Sequence, residues 1–172
     1  MALKFKGKTW IFGDNLDVDN EIVSFAKLHY GVFTHDQLGE HCMENVDPEF
    51  HKKVKKGDIM VAGTNFRCGH DHPHAPQSIQ QCGISVVVAE SFDENYIKNS
   101  VAIGLPLIEL PGIKKKVKEG DVVEADLHAG IIENVTTGES IKFKPFPDFL
   151  LDMLEAGSLE AYGDKLIAEG KG

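Results

Sequence analysis

A histidine-rich block, preceded by a run of apolar residues at 59–62, holds the residues best suited to chemistry. It reads Arg67-Cys68-Gly69-His70-Asp71-His72-Pro73-His74. Histidine has a reference pKa of about 6.5, so His70 could exchange a proton near neutral pH, with Asp71 orienting its ring. Arg67 is the only arginine in the chain and is suited to pair with a carboxylate. The block therefore predicts proton transfer on an anionic substrate.

The same block leads into a helix predicted to begin near Ala75. Backbone N–H groups and the helix dipole at such a start favour a bound carboxylate or phosphate. Two other interpretations stay open. The polar residues could only cap and solvate a turn, or the histidines at 70, 72 and 74 could bind a metal ion together with Cys68. Alternate residues of an extended segment lie about 6–7 Å apart, which disfavours closure around one ion.

The elements around the block predict an α/β fold. Strands are predicted at residues 8–12 and 106–110, and buried strands at residues 58–62 and 84–89. Helices are predicted at residues 34–43, 75–82 and 92–103. Residues 13–20 are expected to form a loop and residues 52–56 a solvated basic turn. Short strands that alternate with helices favour a partly parallel sheet with flanking helices.

The C-terminal part follows a different pattern. Apolar and polar residues alternate after Gly112, which predicts antiparallel strands at residues 122–127, 130–135 and 140–144. Terminal helices are predicted at residues 149–154 and 159–167. These elements are expected to pack on the same core as the parallel strands.

The bulk composition limits the class of protein. The chain has 172 residues, 42% of them hydrophobic, which fits one globular domain over residues 1–172. A formal charge of −9 argues against nucleic acid as a partner. Three cysteines without a C-x-x-C pair suit a reducing compartment and cannot supply a four-cysteine cluster. With no long apolar run or signal-like segment, we expect a cytoplasmic protein that does not bind a membrane.

Five segments within residues 13–138 form a colinear set. They read Gly13-Asp14-Asn15-Leu16-Asp17-Val18-Asp19, Leu38-Gly39-Glu40-His41-Cys42-Met43, Lys56-Gly57-Asp58-Ile59-Met60, Val61-Ala62-Gly63-Thr64-Asn65-Phe66-Arg67-Cys68-Gly69, and Glu90-Ser91-Phe92 through Lys98-Asn99 to Ile103-Gly104-Leu105. In this order they resemble the small subunit of the aconitase and 3-isopropylmalate dehydratase family. The family's Ser-Ser-Arg after Cys-Gly is replaced here by His70, Asp71 and His72. Two arginine positions of the last segment are Glu94 and Lys98.

The resemblance implies a swivelling β/β/α domain that closes over a large subunit carrying a [4Fe–4S] cluster. The implied reaction removes and adds water on a hydroxy di- or tricarboxylic acid, with the cluster acting as Lewis acid on the departing hydroxyl. In the family, the first serine of Ser-Ser-Arg removes a proton from carbon, and the arginine holds a carboxylate. These roles fall on His70 and, when it is protonated, on His72.

Further substrate-binding residues are expected from the same resemblance. Asp19 matches the loop that reaches the active site, and Arg67 or Lys98 is suited to pair with a substrate carboxylate. Residues 24–33 lie where related small subunits carry the loop that meets the variable group of the substrate. We therefore expect Leu28 and Tyr30 to influence specificity and the segment to be mobile in the isolated chain. A helix and turn that only pack are the alternative.

Two functions fit the sequence best. The first is the small subunit of a two-component, iron–sulfur-dependent hydro-lyase that acts on a malate-type acid only with its large subunit. The second is a non-catalytic binding module that keeps the fold and partner surface but has lost the catalytic base. An independent metal-dependent enzyme that uses the histidines is a third, less favoured interpretation. The isolated chain is expected to be folded, colourless and inactive.

Overall fold

The structure is a computed structural model that describes residues 3–66 and 72–171. Its sheet consists of β1 (Lys4–Ile11), β2 (Ile59–Ala62), β3 (Val86–Ala89), β4 (Leu107–Glu109), β5 (Val122–Asp126), β6 (Ile131–Asn134) and β7 (Glu139–Lys142). The strands lie in the order β4-β3-β2-β1-β5-β6-β7. The sheet is therefore continuous from one edge strand to the other.

Strand β1 joins a parallel half of the sheet to an antiparallel half. Its residues 9–11 pair in parallel with β2, and β3 and β4 continue in parallel. Its residues 4–8 pair antiparallel with β5, followed by β6 and β7. The predicted α/β fold, with a partly parallel sheet and antiparallel strands in the C-terminal half, is confirmed.

The predicted start of the first strand was wrong, because β1 begins at Lys4 and not at residue 8. Its early residues alternate between exposed lysines, Lys4 and Lys6, and half-buried Phe5 and Gly7, so they lack the continuous apolar run of a central strand. Lys4 instead forms an ion pair with Asp126 of β5 at 2.9 Å. The antiparallel pairing with β5 therefore extends the strand beyond its apolar part.

The helices flank this sheet. They are α1 (Phe25–His29), α2 (Phe50–Lys53), α3 (His74–Gln81), α4 (Glu94–Ala102), α5 (Asp148–Ala156) and α6 (Leu159–Ala168). A π-helical turn at Val18–Ile22 and two 3₁₀ helices at His35–His41 and Ile113–Lys115 complete the described helical elements.

Three local predictions of helix and loop were wrong. Within the range 34–43 the structure has a 3₁₀ helix at His35–His41 where a longer helix was predicted, and Met43 lies beyond it with a φ of 59°. The expected loop at residues 13–20 runs into the π-helical turn, because the side chain of Asp17 accepts a hydrogen bond from the N–H of Asp19. The expected solvated turn at residues 52–56 overlaps α2, which is anchored by the fully buried ring of Phe50.

The sheet separates two apolar cores. Ile59 and Val61 of β2 are buried in one core together with residues of α5 such as Leu151. Met60 and Ala62 are buried in the other core, to which α3 and the 3₁₀ helix at His35–His41 contribute. Because successive side chains of a strand point to opposite faces, helices cover both faces of the parallel half. This arrangement leaves the ends of the strands open for a site.

A buried carboxylate connects the start of β2 to β1. Asp58 is 6% exposed. It accepts hydrogen bonds from the N–H of Lys8 at 3.2 Å, the indole Nε1 of Trp10 at 2.9 Å and the N–H of Lys55 at 2.9 Å. Three donors from two segments therefore depend on one side chain.

We expect Asp58→Ala to lower the free energy of unfolding by about 2–4 kcal/mol, because buried donors lose their acceptor. Urea denaturation measures the loss, and Asp164→Ala on the exposed side of α6 is the control. Equal stability of Asp58→Ala and the unmodified chain would contradict this role.

Candidate active site

The loops that follow the parallel strands meet at one edge of the sheet. The N–H of Gly63 donates to the carbonyl of Gly13 at 3.0 Å, and the N–H of Glu90 donates to the carbonyl of Gly63 at 3.2 Å. The N–H of Gly112 donates to Oε2 of Glu90 at 3.0 Å. In open α/β sheets, ligands bind outside the carboxyl ends of the parallel strands. This edge is therefore the candidate active site.

Asp14 ties the loop after β1 to the loop after β2. Its Oδ1 accepts a hydrogen bond from the N–H of Thr64 at 3.0 Å and lies 3.6 Å from Nζ of Lys114. The hydrogen bond from Thr64, and then the charge of Lys114, hold the pKa of Asp14 below its usual value. Gly63 permits this contact, because a Cβ there would lie 1.6 Å from Asp14 Oδ1.

Two asparagines continue the connection toward the histidine-rich block. Asn15 and Asn65 both have left-handed backbone conformations, with φ of 57° and 56°, which asparagine tolerates better than most residues. Nδ2 of Asn65 donates to Oδ1 of Asn15 at 2.8 Å, and the N–H of Asn65 donates to Oγ of Ser91 at 2.8 Å. The loops after β1, β2 and β3 therefore fix the position of the chain just before Arg67.

The residues predicted to transfer the proton and to pair with its substrate lie outside the described residues. They are Arg67, His70 and Asp71. The structure describes the residues on both sides of them. Phe66 is 1% exposed, and its ring lies 5.4 Å from the ring of Phe92. The roles of the three residues stay predictions, but the element that precedes them is fixed in the core.

On the other side of the block, two histidines stack on one aromatic ring. The ring centroid of Phe25 lies 4.1 Å from that of His72 and 5.1 Å from that of His74. Phe25 is the first residue of α1, whose N-terminus is capped by the side chain of Ser24. Residues 24–33 therefore contain a helix that packs against the end of the block.

His74 is a buried imidazole at the start of α3, 3% exposed. Its Nε2 has no hydrogen-bond partner among the described residues and lies 3.8 Å from Oδ1 of Asp19. Burial lowers the pKa of His74 to about 4; nearby His72 acts in the same direction and Asp19 opposes it. The imidazole is therefore neutral at neutral pH. Asp19, predicted to bind substrate, lies beside it.

The buried imidazole should make stability depend on pH. The pKa of His74 is about 4 in the folded chain against 6.5 as its ordinary value. Between these values the unfolded chain takes up a proton that the folded chain does not. The free energy of unfolding should therefore fall as pH drops from 6.5 to 4, by on the order of 3 kcal/mol from this group.

Urea denaturation at a series of pH values tests this expectation. His74→Gln should lack this pH-dependent contribution. The difference in free energy of unfolding between His74→Gln and the unmodified chain should therefore change between pH 6.5 and pH 4. His128→Gln, at a side chain that is 50% exposed, is the control. If the free energy of unfolding of His74→Gln changed with pH as steeply as that of the unmodified chain, His74 would not be the group that titrates.

The other predicted binding residues lie in different places. Leu28 of α1 is half-buried against the core, and Tyr30, two residues later, is 81% exposed. Lys98 lies on the exposed side of α4, where it lines a cavity of about 330 Å³ with apolar residues of α5 and α6. The described contacts bring Asp19 and His72 together around Phe25 and His74, but they do not bring Lys98 to this group.

The sequence analysis did not identify Phe25 as a site residue, and it considered His74 only as a possible metal ligand. The signal for Phe25 is an apolar residue directly after Ser24, a preferred helix cap. Among residues 3–66 and 72–171, no group of three or more His, Cys, Asp or Glu side chains could hold a metal ion. Within the same ranges, no helix is both long enough and apolar enough to cross a membrane.

A protein-family model and individual sequence relatives both point to the same family. The family described as Aconitase C-terminal domain matches residues 4–112. The isopropylmalate/citramalate isomerase small subunit of Methanocaldococcus jannaschii is 45% identical over 167 residues, 96% of this chain and 97% of that protein. The 3-isopropylmalate dehydratase small subunit of Caldicellulosiruptor bescii is 43% identical over 155 residues, 90% of this chain and 92% of that protein.

A solved structure agrees with these sequence relationships. The crystal structure of 3-isopropylmalate dehydratase (leuD) from Methanocaldococcus jannaschii superposes with a TM-score of 0.85 at 35% identity, over 98% of this chain and 99% of that chain. The match spans the parallel half, the antiparallel half and the terminal helices. The chain therefore belongs to the Aconitase C-terminal domain family, and over nearly its whole length it is similar to small subunits of dehydratases of this family.

Proposed function

We propose that this chain, with a large subunit, hydrates and dehydrates a malate-type hydroxy di- or tricarboxylic acid, as the names of its relatives suggest. The observation that carries the proposal is the convergence of the loops after β1, β2 and β3 on the start of the histidine-rich block. Asp14, Asn15 and Asn65 fix one side of the block. Phe25 fixes the other side through its stacked histidines.

In this proposal the block supplies the acid–base chemistry. His70 removes the proton from carbon and returns it in the reverse direction, and Asp71 orients its ring. Arg67 pairs with a substrate carboxylate, with His72 contributing when it is protonated. Asp19, whose Oδ1 lies 3.8 Å from Nε2 of His74, is assigned to a polar group of the substrate.

Lys98 is assigned only a secondary role in binding the substrate. Its position beside the cavity between α4 and the C-terminal helices separates it from Asp19 and His72 in the described contacts. Lys98 would contact the substrate only in the complex, if the large subunit brings the substrate to this face of α4.

The proposed [4Fe–4S] cluster belongs to the large subunit. The three cysteines of this chain include no C-x-x-C pair, the spacing typical of cluster ligands. Cys42 is fully buried at the end of the 3₁₀ helix His35–His41, and Cys82 follows α3, so their positions do not open toward the candidate active site. When bound in the partner, the cluster supplies a Lewis acid for the departing hydroxyl. This chain binds and orients the substrate and moves the proton.

A second function is favoured by one observation, the replacement of Ser-Ser-Arg by His70, Asp71 and His72. In this alternative the chain is a binding module that keeps the partner surface without catalysis. Mixing the chain with its cognate large subunit separates the two functions. Formation of the unsaturated acid from an alkylmalate, followed by its ultraviolet absorbance, supports the hydro-lyase. A stable complex that turns over no alkylmalate supports the binding module.

We expect the segment around α1 to set the preference for the side group of the substrate. α1 is held against His72 through Phe25, and Tyr30, which follows α1, is exposed with its ring 5.3 Å from that of His29. Leu28→Ala and Tyr30→Ala should each change the ratio of kcat/KM for methyl- and isopropyl-substituted malates by about tenfold, the lower end of the effect of one methylene group in an apolar pocket. Val135→Ala, at an exposed apolar residue far along the chain, is the control. Unchanged ratios in both variants would contradict the assignment.

A further inference from the structure

Two cysteines lie together at the C-terminal ends of two packed helices. Cys42 ends the 3₁₀ helix His35–His41, and Cys82 ends α3. Both belong to the same apolar core, in which Cys42 is fully buried and Cys82 is partly exposed. Neither residue has a role in the proposed reaction.

Close packing of the two helices brings the cysteines together. A Cβ on Gly39 would lie 2.8 Å from the carbonyl carbon of Gln81 and 2.9 Å from the amide nitrogen of Cys82, so only glycine fits there. The side-chain amide of Gln81 adds two hydrogen bonds between the helices. Its Oε1 accepts from the N–H of Gly39 at 3.2 Å, and its Nε2 donates to the carbonyl of His35 at 3.0 Å.

The two thiols differ in reactivity. The neighbouring Cys42 thiol holds the pKa of Cys82 below its usual value, and Sγ of Cys82 lies 3.1 Å from the carbonyl oxygen of Ile79, to which it donates as a thiol. Burial raises the pKa of Cys42 well above its usual value. The thiolate is the reactive form, so Cys82 is the nucleophile and Cys42 the adjacent thiol that can react with its oxidised product.

A cavity of about 350 Å³ gives small molecules access to Cys82. It is lined by Asp36, Gly39, Glu40, His51, Gln81 and Cys82. Two carboxylates at its wall disfavour anionic reagents, because like charges repel. The cavity therefore suits a small uncharged oxidant.

We propose that Cys82 and Cys42 form a redox-active thiol pair that a peroxide converts into an intramolecular disulfide. In the first step the Cys82 thiolate attacks the terminal peroxide oxygen, the O–O bond breaks, and Cys82 becomes a sulfenic acid, while the other oxygen leaves as hydroxide or alkoxide and takes a proton from solvent to give water or an alcohol. In the second step the Cys42 sulfur attacks the Cys82 sulfur and forms the S–S bond. The hydroxyl leaves with the Cys42 proton as water, so the peroxide is reduced by two electrons in total.

The disulfide would join the ends of two elements that support the candidate active site. α3 carries His74 at its other end, and the 3₁₀ helix follows the segment that contains α1. This thiol chemistry is independent of the proposed dehydratase reaction, so a failure of one leaves the other untouched.

Treatment of the full chain with hydrogen peroxide tests the proposal. After the remaining thiols are alkylated, digestion without reductant should yield a Cys42–Cys82 crosslinked peptide, with the chain lighter by two hydrogens. Dithiothreitol should reverse the change. Cys68→Ala should form the same crosslink, because Cys68 takes no part in it.

Two further variants separate the roles of the thiols. Cys42→Ala should stop at a Cys82 sulfenic acid that dimedone traps. Cys82→Ala should slow oxidation of Cys42 by at least about tenfold, because a buried thiol of raised pKa is a poor nucleophile. A crosslink that involves Cys68, or full alkylation of both Cys42 and Cys82 in the denatured chain after peroxide treatment, would overturn the proposal. Those two measurements on the unmodified chain do not depend on the folding of any variant.

Discussion

Replacing His70 with alanine is expected to lower kcat by roughly 10²–10⁴-fold with the cognate large subunit present, the usual cost of a lost general base. The KM should change little, because the imidazole acts on the reacting carbon and not on the substrate's carboxylates. His70 replaces the serine that acts as base in the family, and imidazole needs less adjustment of its pKa than a hydroxyl to accept a proton near neutral pH.

Steady-state kinetics of the reconstituted pair measures this effect. His128→Ala is the control, because His128 is half-exposed and pairs with Glu155 at 3.2 Å on a different part of the surface. A lowered kcat only in His70→Ala supports the assignment. Turnover of His70→Ala close to that of the unmodified pair would show that the large subunit supplies the base.

Replacing Arg67 with alanine is expected to raise KM by roughly 10–100-fold while kcat stays similar, because a charge-assisted hydrogen bond contributes about 1.5–3 kcal/mol to binding. The argument assumes that Arg67 holds the substrate carboxylate equally in the ground and transition states. Arg67 follows Phe66, which is buried, and Asn65, which is bonded to the loops after β1 and β3. The two residues directly before Arg67 are therefore held in place by the fold.

Two further variants distinguish a specific role of Arg67 from a general loss of positive charge. Arg67→Lys keeps the charge but loses the bidentate geometry of the guanidinium, so its KM should lie between those of Arg67→Ala and the unmodified chain. Lys115→Ala, at an exposed residue of the 3₁₀ helix Ile113–Lys115, is the control for a general loss of positive charge. A large fall in kcat with unchanged KM in Arg67→Ala would instead place Arg67 at the reacting atoms.

The parallel half of the fold could be predicted from the sequence because its signals are local. The buried runs at 58–62 and 84–89 have the length and composition of central strands, and β2 and β3 lie within them. The helix predicted at 75–82 corresponds to α3, and the helix predicted at 92–103 contains α4. Each of these elements is specified by its own apolar pattern.

Elements that depend on distant partners could not be predicted in the same way. The first residues of β1 form a strand because β5, more than one hundred residues later, pairs with them. The π-helical turn at Val18–Ile22 buries Val18 and Ile22 within a segment of turn-like composition. α2 exists because Phe50 packs against the rings of Trp10 and Phe12. None of these contacts is visible in the local pattern.

The candidate site likewise combines features that local sequence predicts with features that depend on distant contacts. The block was found from residue types alone, and Asp19 was found through the resemblance. The burial of His74 depends on packing by Phe25 and on the position of Asp19, which no spacing in the sequence reveals. Asp14 reaches Thr64 only because Gly63 leaves room for it, and this contact also depends on the folded sheet.

The most direct test of the central claim is a titration of a fixed amount of cognate large subunit with this chain. The rate of alkylmalate dehydration is recorded at each ratio, together with the rates of each subunit alone. We expect both subunits alone to be inactive and the rate to rise until the two are equimolar and then stay constant. Dehydration of alkylmalate by the purified chain alone, or no dehydration at any ratio despite formation of the complex, would contradict the account.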